Sequence, residues 1–185
     1  MNIELIVVGK TDMKEVETLI SMYSKRLNHY VRFAITTLAD VRNTKKLSEA
    51  EQKRLEGEAI LRLMNDSDHV VLLDERGQEL RSIEFADLIQ RRMSAGTKRL
   101  LFVIGGPYGF SEAVYQRANS MLSLSRMTFS HQIVRAIFTE QLYRAFTILK
   151  NEPYHHEYGR FIAGTHTWDL MKRWSVGTLR FAGIA

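Results

Sequence analysis

The chain has 185 residues with 26 basic against 21 acidic side chains, a formal charge of +5, and it is 45% hydrophobic and 25% charged. That is an ordinary globular composition, long enough for one domain with a sizeable core, and it excludes disordered and low-complexity classes. The absence of cysteine excludes a disulfide framework, a thiolate zinc site and a cysteine nucleophile, and fits a reducing, cytoplasmic compartment.

In chain order, apolar runs alternate with helical stripes, the pattern of βαβ units. Residues 3–8 (IELIVV) predict a first strand rather than a signal segment, because Glu4 interrupts the run, and nothing later approaches the ~18 apolar residues of a membrane span. Met13, Val16, Leu19, Ile20, Tyr23 and Leu27 fall at helical spacing within 12–28, and VRFAITTL over 31–38 alternates like a strand. A charged helix follows from Leu47 to Met64.

HVVLL at 69–73 predicts a short buried strand stopped by DERG, and residues 83–93 an amphipathic helix that buries Phe85, Leu88, Ile89 and Met93. LLFVI at 100–104 is continuously apolar, as in a parallel sheet covered on both faces. A short helix from about Ser111, a brief strand at 121–124 and a long helix over 131–150 complete the body. Ile133, Val134, Ile137, Phe138, Leu142, Ala145, Ile148 and Leu149 give the last helix an apolar face wider than one sheet contact needs, so a packed partner helix is expected, in the chain or from a second subunit.

Beyond Tyr158 the composition changes. Residues 158–185 hold a net +3 and both tryptophans, Trp168 and Trp174, while the first 157 residues carry only +2. Two domains of description follow, a body over 1–157 and an atypical extension over 158–185.

Four loops hold residues able to do chemistry. Gly105-Gly106-Pro107-Tyr108-Gly109 follows an apolar strand, where glycine admits a ligand close to the backbone, or simply makes a tight turn. It has neither the dinucleotide fingerprint nor the Walker spacing. Leu72-Leu73-Asp74-Glu75-Arg76-Gly77 ends another strand, as a ligand loop or a solvated turn. The run 122–131 (LSLSRMTFSH) enters the long helix, with Ser130 as a candidate cap. Asn151–Glu157 (NEPYHHE) follows that helix, and its adjacent histidines lack any metal-binding spacing, so no metal is expected.

Taken together and in order, LLDERG, LFVIGGPYGF and LSLSRMTFSHQIVRAIFTEQLYRAFTILKNEPYHHE resemble the bacterial 23S ribosomal RNA pseudouridine N3-methyltransferases of the SPOUT superfamily, over essentially all of residues 1–157. The resemblance implies an α/β fold, with a mostly parallel sheet flanked by helices and a C-terminal deep trefoil knot, working as a homodimer. It implies S-adenosylmethionine bound against Leu73, Gly105 and the run Leu124, Ser125, Arg126, Met127, Thr128 and Phe129. It further implies methylation of a pseudouridine N3 in the helix 69 loop of 23S rRNA, on assembled ribosomes or large subunits.

For that chemistry the acceptor imide must lose its proton beside a cation. Arg135 or Arg144 is the candidate cation, His131 the proton acceptor or relay, and Tyr154 and His155 candidates to meet RNA or complete a partner's site. Structural roles stand beside these: Arg144 pairing with Glu140 one turn earlier, and Tyr154 packing a dimer. The sequence departs from the family at His156, where a basic residue is common, and in the 28 residues after Glu157. The alternative functions are a non-catalytic ribosome-associated or assembly factor that kept the fold, and a nucleotide-binding protein using the glycine loop.

Overall fold

A computed structural model describes residues 1–41 and 47–155 of the chain. The extension at 158–185 and His156 lie outside the described residues. By its internal packing the chain divides into two compact units, Met1–Glu152 and Pro153–Ala185.

The first unit runs β1 (Asn2–Val8), α1 (Lys14–Leu27), β2 (Arg32–Leu38), α2 (Glu49–Leu61), β3 (His69–Glu79), α3 (Ser82–Ser94), β4 (Arg99–Ile104), α4 (Glu112–Arg117), β5 (Ser120–Ser123) and α5 (Ile133–Leu149). All strand pairings are parallel, in the order β2-β1-β4-β3-β5. The expected α/β architecture with a parallel sheet flanked by helices is therefore present.

The two faces of the sheet explain the apolar runs. Ile3, Leu5, Val7, Leu100, Phe102 and Ile104 face a core closed by Leu27 of α1, Phe85 and Ile89 of α3, and Phe138, Leu142 and Phe146 of α5. Ile6, Val8, Val70, Leu72, Leu101 and Val103 face the opposite way, onto Ile60 of α2, Val114 of α4 and Phe110 in the loop before α4. β4 lies centrally with both faces covered, so alternation would have put polar groups into a core. Phe102 and Phe138 meet with ring centroids 4.7 Å apart, fixing α5 on the sheet.

The wide apolar face of α5 finds its packed partner within the chain, because α5 lies against both α1 and α3. Gln132, at the entry to α5, accepts hydrogen bonds through its side-chain oxygen from the backbone amides of Asp12 and Met13, which satisfies donors at the start of α1. Tyr30 donates to Glu152 at 2.5 Å and pins the end of α5 to the turn after α1; that bond to the carboxylate raises the phenol above its ordinary range. Met13, Leu19 and Ile133 of this helical layer remain exposed.

β3 departs from expectation. It does not stop at DERG but continues to Glu79, with an irregular register between Leu73 and Gln78 before pairing resumes with Leu122 and Ser123. Gly77 permits this, since a Cβ there would stand 2.5 Å from the backbone nitrogen and carbonyl carbon of Leu122. Three charged residues predict a turn by composition, whereas parallel pairing with β5, a contact distant in sequence, holds the segment extended.

Candidate functional site

The carboxyl ends of β3, β4 and β5 open into one cleft of about 720 Å³, within the size range of small-molecule sites. Its walls come from the three segments named from the sequence: residues 73–76, which lie within β3 at its irregular stretch, residues 104–110 at the end of β4 and beyond, and residues 122–131 at the end of β5 and beyond. All eight residues expected to hold a cofactor (Leu73, Gly105, Leu124, Ser125, Arg126, Met127, Thr128 and Phe129) line it, as does His131. The position follows from topology, since ligands of open parallel sheets gather at the carboxyl ends of the strands.

Within β3, Asp74 anchors a small polar cluster at the cleft. Asp74 accepts from the Tyr115 hydroxyl at 2.6 Å and from the Arg76 backbone amide at 2.9 Å, and Arg76 Nε reaches it at 3.2 Å. Burial acts to raise the Asp74 carboxyl, but the hydrogen bonds from Tyr115 and Arg76 outweigh it and hold the group below its ordinary range. The Arg76 guanidinium lies 4.5 Å from the Tyr115 ring centroid, and Tyr115 packs edge-on against Phe110 of the glycine loop. Asp74 belongs to one of the candidate loops named from the sequence, whereas Tyr115, on α4, carries no local signal and joins the site only through its bond to Asp74.

The glycine loop closes on itself, Gly106 accepting from the Gly109 amide at 3.1 Å. In the third wall Ser123 Oγ donates to the Ser125 carbonyl at 3.1 Å and Ser125 Oγ accepts from the Met127 amide at 2.9 Å, a local turn made by hydroxyls. Arg126 Nε bonds both Glu79 oxygens at 3.2 Å and ties this wall to the end of β3. Met127 is 76% exposed and Phe129 is also exposed, leaving apolar surface on this wall for a ligand to cover. Ser130 accepts from Ile133 N at 3.2 Å, but the N-cap of α5 is Gln132, two residues later than the expected Ser130.

Arg135 is placed elsewhere. It is 1% exposed and donates to Val8 O at 2.6 Å, Gly9 O at 3.0 Å and Thr11 Oγ1 at 2.8 Å, so its guanidinium holds the end of β1 and does not line the cleft. Burial pushes this guanidinium below its ordinary value, and the carboxylates of Asp40 and Asp12 oppose that. Arg144 sits on α5, half-buried, in an ion pair with Glu140 one turn earlier, and is likewise outside the cleft lining. Tyr154 and His155 belong to the unit that begins at Pro153.

The residues present fit S-adenosylmethionine. The cleft is large enough and offers backbone polar groups and exposed apolar side chains, with the ion pair of Asp74 and Arg76 in its wall. Among the described residues there is no cluster of three or more His, Asp or Glu able to hold a metal, and no helix long and apolar enough to cross a membrane.

Comparison with known proteins agrees with this geometry. The family model described as "Predicted SPOUT methyltransferase" matches residues 1–155. The protein named ribosomal RNA large subunit methyltransferase H of Christiangramia forsetii is 62% identical over 156 residues, 84% of this chain and 99% of its own length. Proteins of the same name from Flavobacterium psychrophilum and Porphyromonas gingivalis are each 55% identical over 157 residues, 85% of this chain and the whole of theirs.

Proposed function

The chain belongs to the SPOUT methyltransferase family, and from that premise we propose that it transfers a methyl group from S-adenosylmethionine to N3 of a pseudouridine in the helix 69 loop of 23S rRNA. The observation that carries this reading is the convergence of all three cofactor loops on one cleft at the strand ends. Relatives matched over nearly their full length bear names of large-subunit rRNA methyltransferases, which supports ribosomes or large subunits in the cytoplasm as the site of action. The nearly neutral charge of residues 1–157 favours a shaped ribosomal surface over bare RNA, whose capture through many phosphates calls for a larger basic excess. The knot is what family membership implies for the path of the C-terminal part.

The cofactor supplies a methyl group already activated on a sulfonium. The protein's own work is to bind, align, exclude water and manage one proton. Asp74, held by Tyr115 and Arg76, fixes the β3 wall of the cleft; the glycine loop and residues 124–129 offer backbone groups and apolar cover. To His131, exposed at the cleft wall, we assign acceptance of the imide proton from the acceptor base. With Arg135 committed to β1, Arg144 is the arginine we assign to the developing anion, together with Tyr154 and His155, acting across a homodimer. The exposed Met13, Leu19 and Ile133 on α1 and α5 supply apolar surface for that dimer.

Calorimetry with S-adenosylmethionine, followed by transfer of labelled methyl to purified ribosomes and large subunits, tests the proposal. Cofactor binding with transfer is expected. Binding without transfer to any ribosomal particle favours the assembly-factor reading.

A further inference from the structure

One turn of α2 touches both sides of the glycine loop without lining the cleft. Glu56 is 4% exposed and lies against Gly106: a Cβ on Gly106 would overlap Glu56 Oε2 and stand 2.9 Å from its Cδ and Oε1. The next residue, Gly57, meets Ser111 at the far end of the loop, where a Cβ would overlap Ser111 Oγ and stand 2.9 Å from Ser111 Cβ. Ser111 is the residue that precedes α4, so the clasp spans the loop from the end of β4 to the start of the next helix.

The carboxyl group of Glu56 is only half satisfied. Oε1 accepts from Gln52 Nε2 at 2.8 Å, while Oε2 is buried without a hydrogen-bond partner. A buried polar oxygen left unpaired is costly, and far more so when it carries charge, so its retention beneath a functional loop calls for an explanation.

We propose that Glu56 is a positioning residue for the methyl-donor cleft: its carboxyl, pressed behind Gly106, sets the path of residues 105–110 and hence cofactor affinity, which weakens when that carboxyl ionises. This rests on the reading that the cleft holds S-adenosylmethionine. Burial favours the neutral acid, the Gln52 hydrogen bond opposes it, and the carboxylate of Asp40, after β2, adds to the burial effect, so the group titrates above the ordinary glutamate range. Among the described residues Asp40 is the charged neighbour acting on it, Gln52 comes from its own helix, and the loop and α4 bring backbone at Gly106 and the Ser111 hydroxyl. The support is therefore fully present in acid and is lost as pH rises through the raised value.

The test is calorimetric titration of S-adenosylmethionine into wild type, Glu56→Gln and Glu56→Ala, from about pH 5 to about pH 9, together with hydrogen exchange of the 105–110 amides in the ligand-free proteins. Glutamine keeps the shape and cannot ionise. Affinity of the wild type should fall by roughly tenfold more than that of Glu56→Gln across the range, and the loop amides of the wild type should exchange faster, after correction for intrinsic rates, at the alkaline end only. Glu56→Ala should bind weakly at every pH with a loosened loop. Identical pH dependence in wild type and Glu56→Gln, or unchanged loop exchange in Glu56→Ala, would overturn the proposal. If the wild type binds no S-adenosylmethionine at any pH, the functional reading fails instead, and loop exchange in wild type and Glu56→Gln still decides the role of Glu56.

Discussion

The guanidinium of Arg135 donates to the carbonyl oxygen of Val8 at 2.6 Å, joining the first turn of α5 to the end of β1 across 127 residues of chain. The other terminal nitrogen of the same guanidinium donates to Gly9 O and Thr11 Oγ1, so one side chain holds three acceptors at and just beyond the end of β1. Arg135→Ala leaves these buried acceptors unpaired and should cost about 3 kcal/mol or more, read as a lower denaturant midpoint. Activity per folded molecule should change little, which separates this residue from one acting on the substrate.

Tyr115→Phe removes the 2.6 Å hydrogen bond to Asp74. At neutral pH this should cost about 1 kcal/mol. Because Asp74 is held below its ordinary range, its contribution is present above the unfolded value and is lost as pH falls through the folded one. The difference between Tyr115→Phe and wild type should therefore shrink in acid, and the Asp74 carboxyl, followed by carbon-13 NMR, should titrate higher in the variant.

Gly77→Ala places a methyl group against the Leu122 backbone and must push β3 from β5. Overpacking of this kind costs about 1–3 kcal/mol. Since β3 and β5 carry two of the three cleft walls, cofactor affinity measured by calorimetry should fall with stability.

The order of strands and helices was legible because periodicity reports burial, and here each strand is buried on faces that the helices cover. LLFVI read as a doubly covered strand, and β4 is one. What could not be read were contacts made across the chain. The extension of β3 through Asp74–Glu79 depends on pairing with β5, and the burial of Arg135 depends on carbonyls of β1; neither leaves a local pattern. The eight cofactor-loop residues follow from family resemblance and do share a cleft, and Asp74 lies in a candidate loop, whereas Tyr115 and Glu56 become visible only through their partners. The expectation of a packed partner for α5 is met by α1 and α3, so it gives no separate support to a second subunit.

If Arg144 and Tyr154 serve a site shared between subunits, Arg144→Ala and Tyr154→Phe should lower methyl transfer to ribosomes while cofactor affinity stays near wild type, since Arg144 does not line the cleft and Tyr154 follows α5. Removing a charge that stabilises a developing anion costs on the order of 10² to 10³ in rate, and losing one hydroxyl hydrogen bond costs about 1 kcal/mol. Sedimentation should give a dimer. Mixed dimers of an Arg144 variant and a cofactor-loop variant should recover one working site; no recovery, with dimerisation verified, would mean self-contained subunits.

The most direct measurement is mass spectrometry of 23S rRNA fragments covering helix 69, from cells with the gene, without it, and with it restored. The account predicts that the fragment from cells lacking the gene is lighter by one methyl group on a pseudouridine, that the methyl maps to N3, and that the wild-type gene restores it. An unchanged methylation pattern in cells lacking the gene would contradict the account.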